Sequence, residues 1–188
     1  MVEKREFFAG DLAGEHGPLR FVRCAHQHIA LLLGAWLDAR RGALVPLKSD
    51  LTPDSILSIL PYVWVYRYEE AVGDFVCRIS GERINDAWGQ SLRGVQFRDI
   101  VGQSAHPAAL RRWKTIIETP SIQYGKVAAA KPHQDKVIAE RLVLPLADPD
   151  GAVCYTMGLS VYPYRQDDRE RTPPVWDDVT VIPCAELM

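Results

Sequence analysis

The run Tyr62-Val-Trp-Val-Tyr-Arg-Tyr68, followed six residues later by Phe75-Val-Cys-Arg-Ile-Ser80, decides the fold class of this chain. β-Branched and aromatic residues dominate both runs, neither contains Pro or Gly, and each has the length of an ordinary strand. The connector Glu69-Glu-Ala-Val-Gly-Asp74 is mostly polar and carries Gly73, so an antiparallel hairpin is the economical reading. Strand alternation would set Tyr62, Trp64, Tyr66 and Tyr68 on one face.

Reading downstream, Gly81 ends the second strand, and a helical stretch over 82–88 stops at Gly89. Residues 90–102 read as short turns and loop. Pro107 then opens an amphipathic helix with Leu110, Trp113, Ile116 and Ile117 at helical spacing, ended by Pro120. Three further strands are expected over 121–129, 137–146 and 153–162, the last two joined by the turn Asp148-Pro-Asp-Gly151. Strands are segregated from helices, which predicts an α+β antiparallel sheet with helices on its face.

Upstream, Thr52-Pro-Asp54 starts a helix that Pro61 keeps short. Residues 19–41 hold no Pro and only Gly34, and read as one helix with Arg40 and Arg41 near its end and Gly42 as C-cap. Its segment Ile29-Ala-Leu-Leu-Leu-Gly-Ala-Trp-Leu37 is apolar on nearly all sides. Such a helix is either buried within its own domain or packed between that domain and a second subunit. At about half of the roughly 18 residues a bilayer span requires, it is no membrane anchor. Residues 1–18 read as a loose tail. The stretch 165–188 reads as a solvated tail, although the apolar patch at 175–176 and 179–182 offers an alternative as a docked strand.

Composition bounds the function. The 188 residues are 47% hydrophobic and 24% charged with net charge -2, which describes one soluble domain with appendages and argues against a non-specific nucleic-acid binder. Cys24, Cys77, Cys154 and Cys184 form no C-x-x-C pair, and no signal peptide opens the chain, so a reducing cytoplasm is the expected setting.

Catalytic motifs are scarce. Neither Ser91 nor Ser160 completes G-x-S-x-G, and no phosphate loop or dinucleotide fingerprint occurs. His26 and His28 stand two residues apart, which on a helix points them to roughly opposite faces, so no shared metal is expected. His106 reads as a cap-position residue, with a haem ligand as the sharper alternative, and His133 as solvated. Arg78 and Glu140 lie mid-strand, either paired in one sheet or separately solvated. The aromatics, with Trp88 and Trp113 on the helices, are either core or the lining of a pocket.

In order and spacing, several stretches resemble a bacterial, often stand-alone family of the PAS-domain superfamily. They are Trp36-Leu-Asp-Ala-Arg-Arg-Gly42 with Pro46, Asp50-Leu-Thr-Pro53, Ile59-Leu-Pro61, Phe75-Val-Cys-Arg-Ile-Ser-Gly81, Trp88-Gly-Gln-Ser-Leu-Arg-Gly94 and Glu140-Arg-Leu-Val-Leu-Pro-Leu146. Glu82 departs from the small hydroxyl residue more usual after Gly81. The resemblance implies a PAS-like five-stranded antiparallel sheet with short helices on one face and an N-terminal helix extension. It divides the chain into a tail (1–18), a helical extension (19–51), a PAS-like domain (52–164) and a C-terminal tail (165–188).

The implied function is sensing or regulation rather than turnover, through a small ligand or protein partner and a dimer or helix rearrangement. The alternatives are a ligand-free interaction module and, behind it, a small α+β enzyme. Members of the family share no established cofactor, so the resemblance leaves the cofactor unknown. A flavin-binding subtype would need its Asn-Cys-Arg adduct motif on a helix, whereas here Cys77-Arg78 follows Val76 in an expected strand, so that chemistry is not supported. Candidate ligand contacts are Arg78, Trp88, Trp113, Ile117, Tyr124, Glu140, Tyr155 and Met157. The N-terminal helix, with Ile29, Leu32, Leu33 and Trp36, is the expected homodimer contact, and a downstream regulatory protein the expected partner.

Overall fold

The structure, a computed structural model, describes residues 10–128, 137–162 and 179–188. Six strands make one antiparallel sheet: β1 (Val63–Glu69), β2 (Asp74–Ser80), β3 (Ser121–Ala128), β4 (Val137–Ala147), β5 (Val153–Val161) and β6 (Val179–Pro183), in the order β2-β1-β5-β4-β3-β6. The expected hairpin is β1–β2, and five of the six strands lie where alternation and turn chemistry put them.

The sixth strand corrects the expectation of five. Val179–Pro183, read as part of a solvated tail, pairs with β3, Ile182 opposite Ile122 and Val181 opposite Gln123. Without it β3 would present an open ladder of backbone donors and acceptors. Ile182 and, just beyond it, Cys184 and Leu187 are buried in the same core, so apolar burial reinforces the pairing.

The N-terminal region also departs from a single helix over 19–41. A 3-10 turn (Arg20–Arg23) is separated from α1 (Gln27–Ala39) by His26, which is extended at φ −56° and ψ 143°. No Pro or Gly marks this break. The His26 ring supplies the cap instead, its Nδ1 accepting the His28 N–H at 3.2 Å. The helix predicted after Thr52 is a 3-10 stretch (Pro53–Tyr62) bent at Ile56.

Both faces of the sheet are covered. On one, α1, the Arg20–Arg23 turn and the residues after β6 pack on Val63, Val65, Leu142, Leu144 and Leu159, a mainly aliphatic layer. Ile29, Leu32, Leu33 and Trp36, expected at a subunit contact, are fully buried inside the chain itself. The sheet needs this apolar face covered, and α1 supplies the cover. Trp36 adds direction, donating its Nε1–H to the Pro145 carbonyl at 2.8 Å.

On the other face lie α2 (Glu82–Trp88), α3 (Phe97–Val101) and α4 (His106–Glu118), packed on Trp64, Tyr66, Phe75, Cys77 and Val143. Tyr62 does not join this set. It sits at the end of the 3-10 stretch and packs on the opposite layer.

Candidate functional site

The space between the sheet and α2–α4 is where a ligand was expected, and aromatic rings occupy it. Trp113, from the buried stripe of α4, stacks on Phe97 at 4.0 Å between centroids and on Trp64 at 5.2 Å with the planes 5° apart. Phe75 and Tyr66 meet the same indole edge-on at 5.4 and 5.3 Å. Stacked and edge-to-face geometries of this kind are worth about 0.5–1.5 kcal/mol each beyond area burial.

Two local choices make the stack fit. Gly158 of β5 stands opposite Trp64 in the register, and a Cβ there would enter the indole ring. Ser160 then accepts the Trp64 Nε1–H at 3.0 Å. A cleft of about 20 Å³ lies at the margin, beside Arg112, Trp113, Gln123 and Arg141. It has room for an ordered water or two and is far short of the roughly 300–1,000 Å³ of small-molecule sites.

Asp74 pins this layer. Its fully buried carboxylate accepts the Phe75 N–H at 2.9 Å and faces His106 Nε2 at 3.0 Å through Oδ1. Through Oδ2 it accepts the Arg98 N–H at 3.0 Å and Nε–H at 3.1 Å. One side chain at the start of β2 thus ties the hairpin to α3 and α4. Burial alone would raise its pKa, but the hydrogen bonds from His106, Arg98 and Phe75 prevail and hold the carboxyl below its ordinary value. Sequence reasoning placed Asp74 in a turn and missed it. His106 starts α4 as expected, with its ring committed to Asp74.

The eight predicted ligand contacts do not share one space. Trp113 is central to the aromatic layer, with Trp88 and Ile117 half-buried at its rim. Met157, Tyr124 and Tyr155 belong to the opposite, aliphatic layer. Glu140 joins them there, buried, accepting the Tyr124 Oη–H at 2.9 Å and the His26 backbone N–H at 2.8 Å. Burial first, and then the Glu140 charge, push the Tyr124 hydroxyl well above its ordinary range.

Arg78 lies outside both layers. Val65 faces Ile79 while Tyr66 faces Cys77, so Arg78 is the extra residue of a β-bulge; it is exposed and pairs with Glu69. Of the two alternatives, the Arg78–Glu140 pair does not form: Arg78 pairs with Glu69 at the surface, and Glu140 is buried with Tyr124 and the His26 N–H. Cys77 is buried in β2, and burial pushes its thiol up to about 11, so it is protonated at neutral pH. Among the described residues no three His, Cys, Asp or Glu side chains gather as a metal site, and no helix is long and apolar enough to cross a membrane. His133 lies outside the described residues.

Comparison with known proteins places this architecture. No curated protein matches the chain in sequence. Among solved structures it is similar to a fungal LOV domain photoreceptor, at 19% identity and TM-score 0.34 over 54% of this chain and 74% of that one. It is also similar to an RNA-binding light-oxygen-voltage receptor, at 16% identity and TM-score 0.38, over 64% of this chain and 35% of that one. Likeness of this degree says nothing about what this chain binds. The model of the PAS domain family, however, matches residues 24–161, from the turn before α1 to the end of β5. The chain belongs to the PAS domain family.

Proposed function

We propose that this chain is a regulatory PAS module that acts by associating with protein, its helix-side core closed by its own aromatic rings rather than by a small molecule. The observation that carries this reading is the stack of Trp113 between Trp64 and Phe97, in the space a ligand would need. A PAS fold suits signalling or sensing. The cysteine inside the helix-side core, Cys77, is held protonated by burial and is a poor nucleophile. Output would pass to another protein or to a second copy of this chain, through rearrangement of a helical layer on the sheet. A homodimer built on α1 would have to use its outer face, where Leu31 is exposed, since the inner face is spent on the sheet.

Native mass spectrometry of protein purified from several growth conditions tests this. The expected result is a bare polypeptide mass, as a monomer or a homodimer. A small molecule bound at one equivalent per chain would overturn the closed-core reading and restore the ligand-sensing one.

A further inference from the structure

Two histidines meet where the chain turns from Arg20–Arg23 into α1. His26 Nδ1 accepts the His28 N–H at 3.2 Å, so this nitrogen carries no proton. The two rings lie edge to face with centroids 4.6 Å apart, and His28 also packs against Tyr62 at 4.7 Å. His28 Nδ1 is buried with no hydrogen-bond partner among the described residues. The backbone of the same His26 donates to the buried Glu140 of β4, so cap, ring pair and sheet contact share one residue.

We propose that His26 and His28 form an acid-sensitive cap, in which a proton on either ring loosens the first turn of α1 and, with it, the attachment of the N-terminal cover to Glu140. A proton on His26 Nδ1 replaces the acceptor with a donor and sets two N–H groups against each other. It also places a cation at the positive end of the helix dipole. A proton on His28 charges a half-buried ring against its neighbour.

The groups facing the pair from other elements act in both directions. Glu140 favours a nearby cation, but its Oε1 already accepts from Tyr124 and from the His26 backbone. Lys126 of β3, bonded to the Cys24 carbonyl at 2.8 Å, adds like charge. Tyr62 packs on His28 from the 3-10 stretch, and Cys24, an exposed free cysteine, stands two residues before His26. Burial, and then His26, hold His28 below its ordinary value of 6.5. The folded chain therefore binds fewer protons at His28 than the unfolded one. Stability from this site is complete above about 6.5 and is lost as the pH falls through that value toward the lower folded one.

The test is hydrogen exchange of the whole protein at pH 8.0 and pH 5.5, corrected for intrinsic rates and read by mass spectrometry. Peptides covering 26–33 should lose roughly fivefold in protection at the lower pH, the effect of losing a helix cap, while those covering 109–117 do not change. The double variant His26→Asn with His28→Gln keeps a capping side chain and removes both imidazoles, so its protection over 26–33 should be the same at both pH values. Imidazole NMR of the unaltered protein at pH 8.0 gives an independent reading, with His26 Nδ1 unprotonated. Equal wild-type protection at the two pH values, the same loss in the double variant, or a proton on His26 Nδ1 at pH 8.0 would each overturn the proposal.

Discussion

One face of the sheet is covered by α1 and residues 184–187, which bury an aliphatic layer around Trp36; the other is closed by α3 and α4 around Trp113. The aliphatic layer is held mostly by non-directional contacts between Leu, Ile and Val, with the bonds to Glu140 and from Trp36 to Pro145 as directional ties. The aromatic layer is held by ring geometry and by a buried carboxylate with several donors. Contacts of the first kind tolerate a shift of register far better than those of the second. The difference predicts that a rearrangement of this module would cost least on the α1 side, although that side buries more residues.

The sharpest way to break the comparison is to remove the central indole of each layer. Trp113→Ala should cost about 5 kcal/mol, because cavity and stacking losses combine, and Trp36→Ala about 3–4 kcal/mol. Urea denaturation of both variants measures this, and a larger loss at Trp36 would reverse the ranking of the layers.

Asp74→Asn should follow at about 2–3 kcal/mol, the cost of a neutral acceptor among donors arranged for a carboxylate. It also carries a pH signature. The folded pKa of Asp74 lies below 3.8, so its contribution is complete above that value and lost as the pH falls through the folded one. Melting temperature against pH should therefore fall less steeply in the variant below about pH 4. Gly158→Ala should cost about 2 kcal/mol by displacing Trp64; near-UV circular dichroism should show a weakened tryptophan signal while the far-UV spectrum is kept. Arg78→Ala, at an exposed ion pair, should change stability by less than about 0.5 kcal/mol, and thermal melts would detect anything larger.

Much of the fold was legible because local patterns decide it. The β1–β2 hairpin, the stop at Gly89, the amphipathic α4 and the Asp148–Gly151 turn each follow from spacing and turn chemistry. What escaped depends on partners distant in sequence. β6 forms on the edge of β3, and while the apolar patch at 179–182 allowed a docked strand, nothing within Val179–Pro183 names that partner. The break before α1 is made by a histidine, a residue type with no strong reputation as a cap. The candidate site was legible only in part. Trp113 could be found from helical spacing, but the bulge at Arg78 turned that residue outward, and Tyr124 and Glu140 fell on the face α1 covers. Asp74 looked like an ordinary turn carboxylate, and only the three-dimensional approach of Arg98 and His106 gives it weight.

Arg40 closes α1 and reaches across 147 residues of sequence to the Leu187 carbonyl, with Met188 Sδ beside it. Through that contact, α1 and the 3-10 turn (Cys184–Leu187) are expected to open together as one unit of local unfolding. Opening one end would expose the other, and protection against proteases over 27–39 and over 179–187 should rise and fall together. Coupling of that kind would turn a disturbance at α1 into exposure at 184–187, a signal carried by opening rather than by a bound ligand.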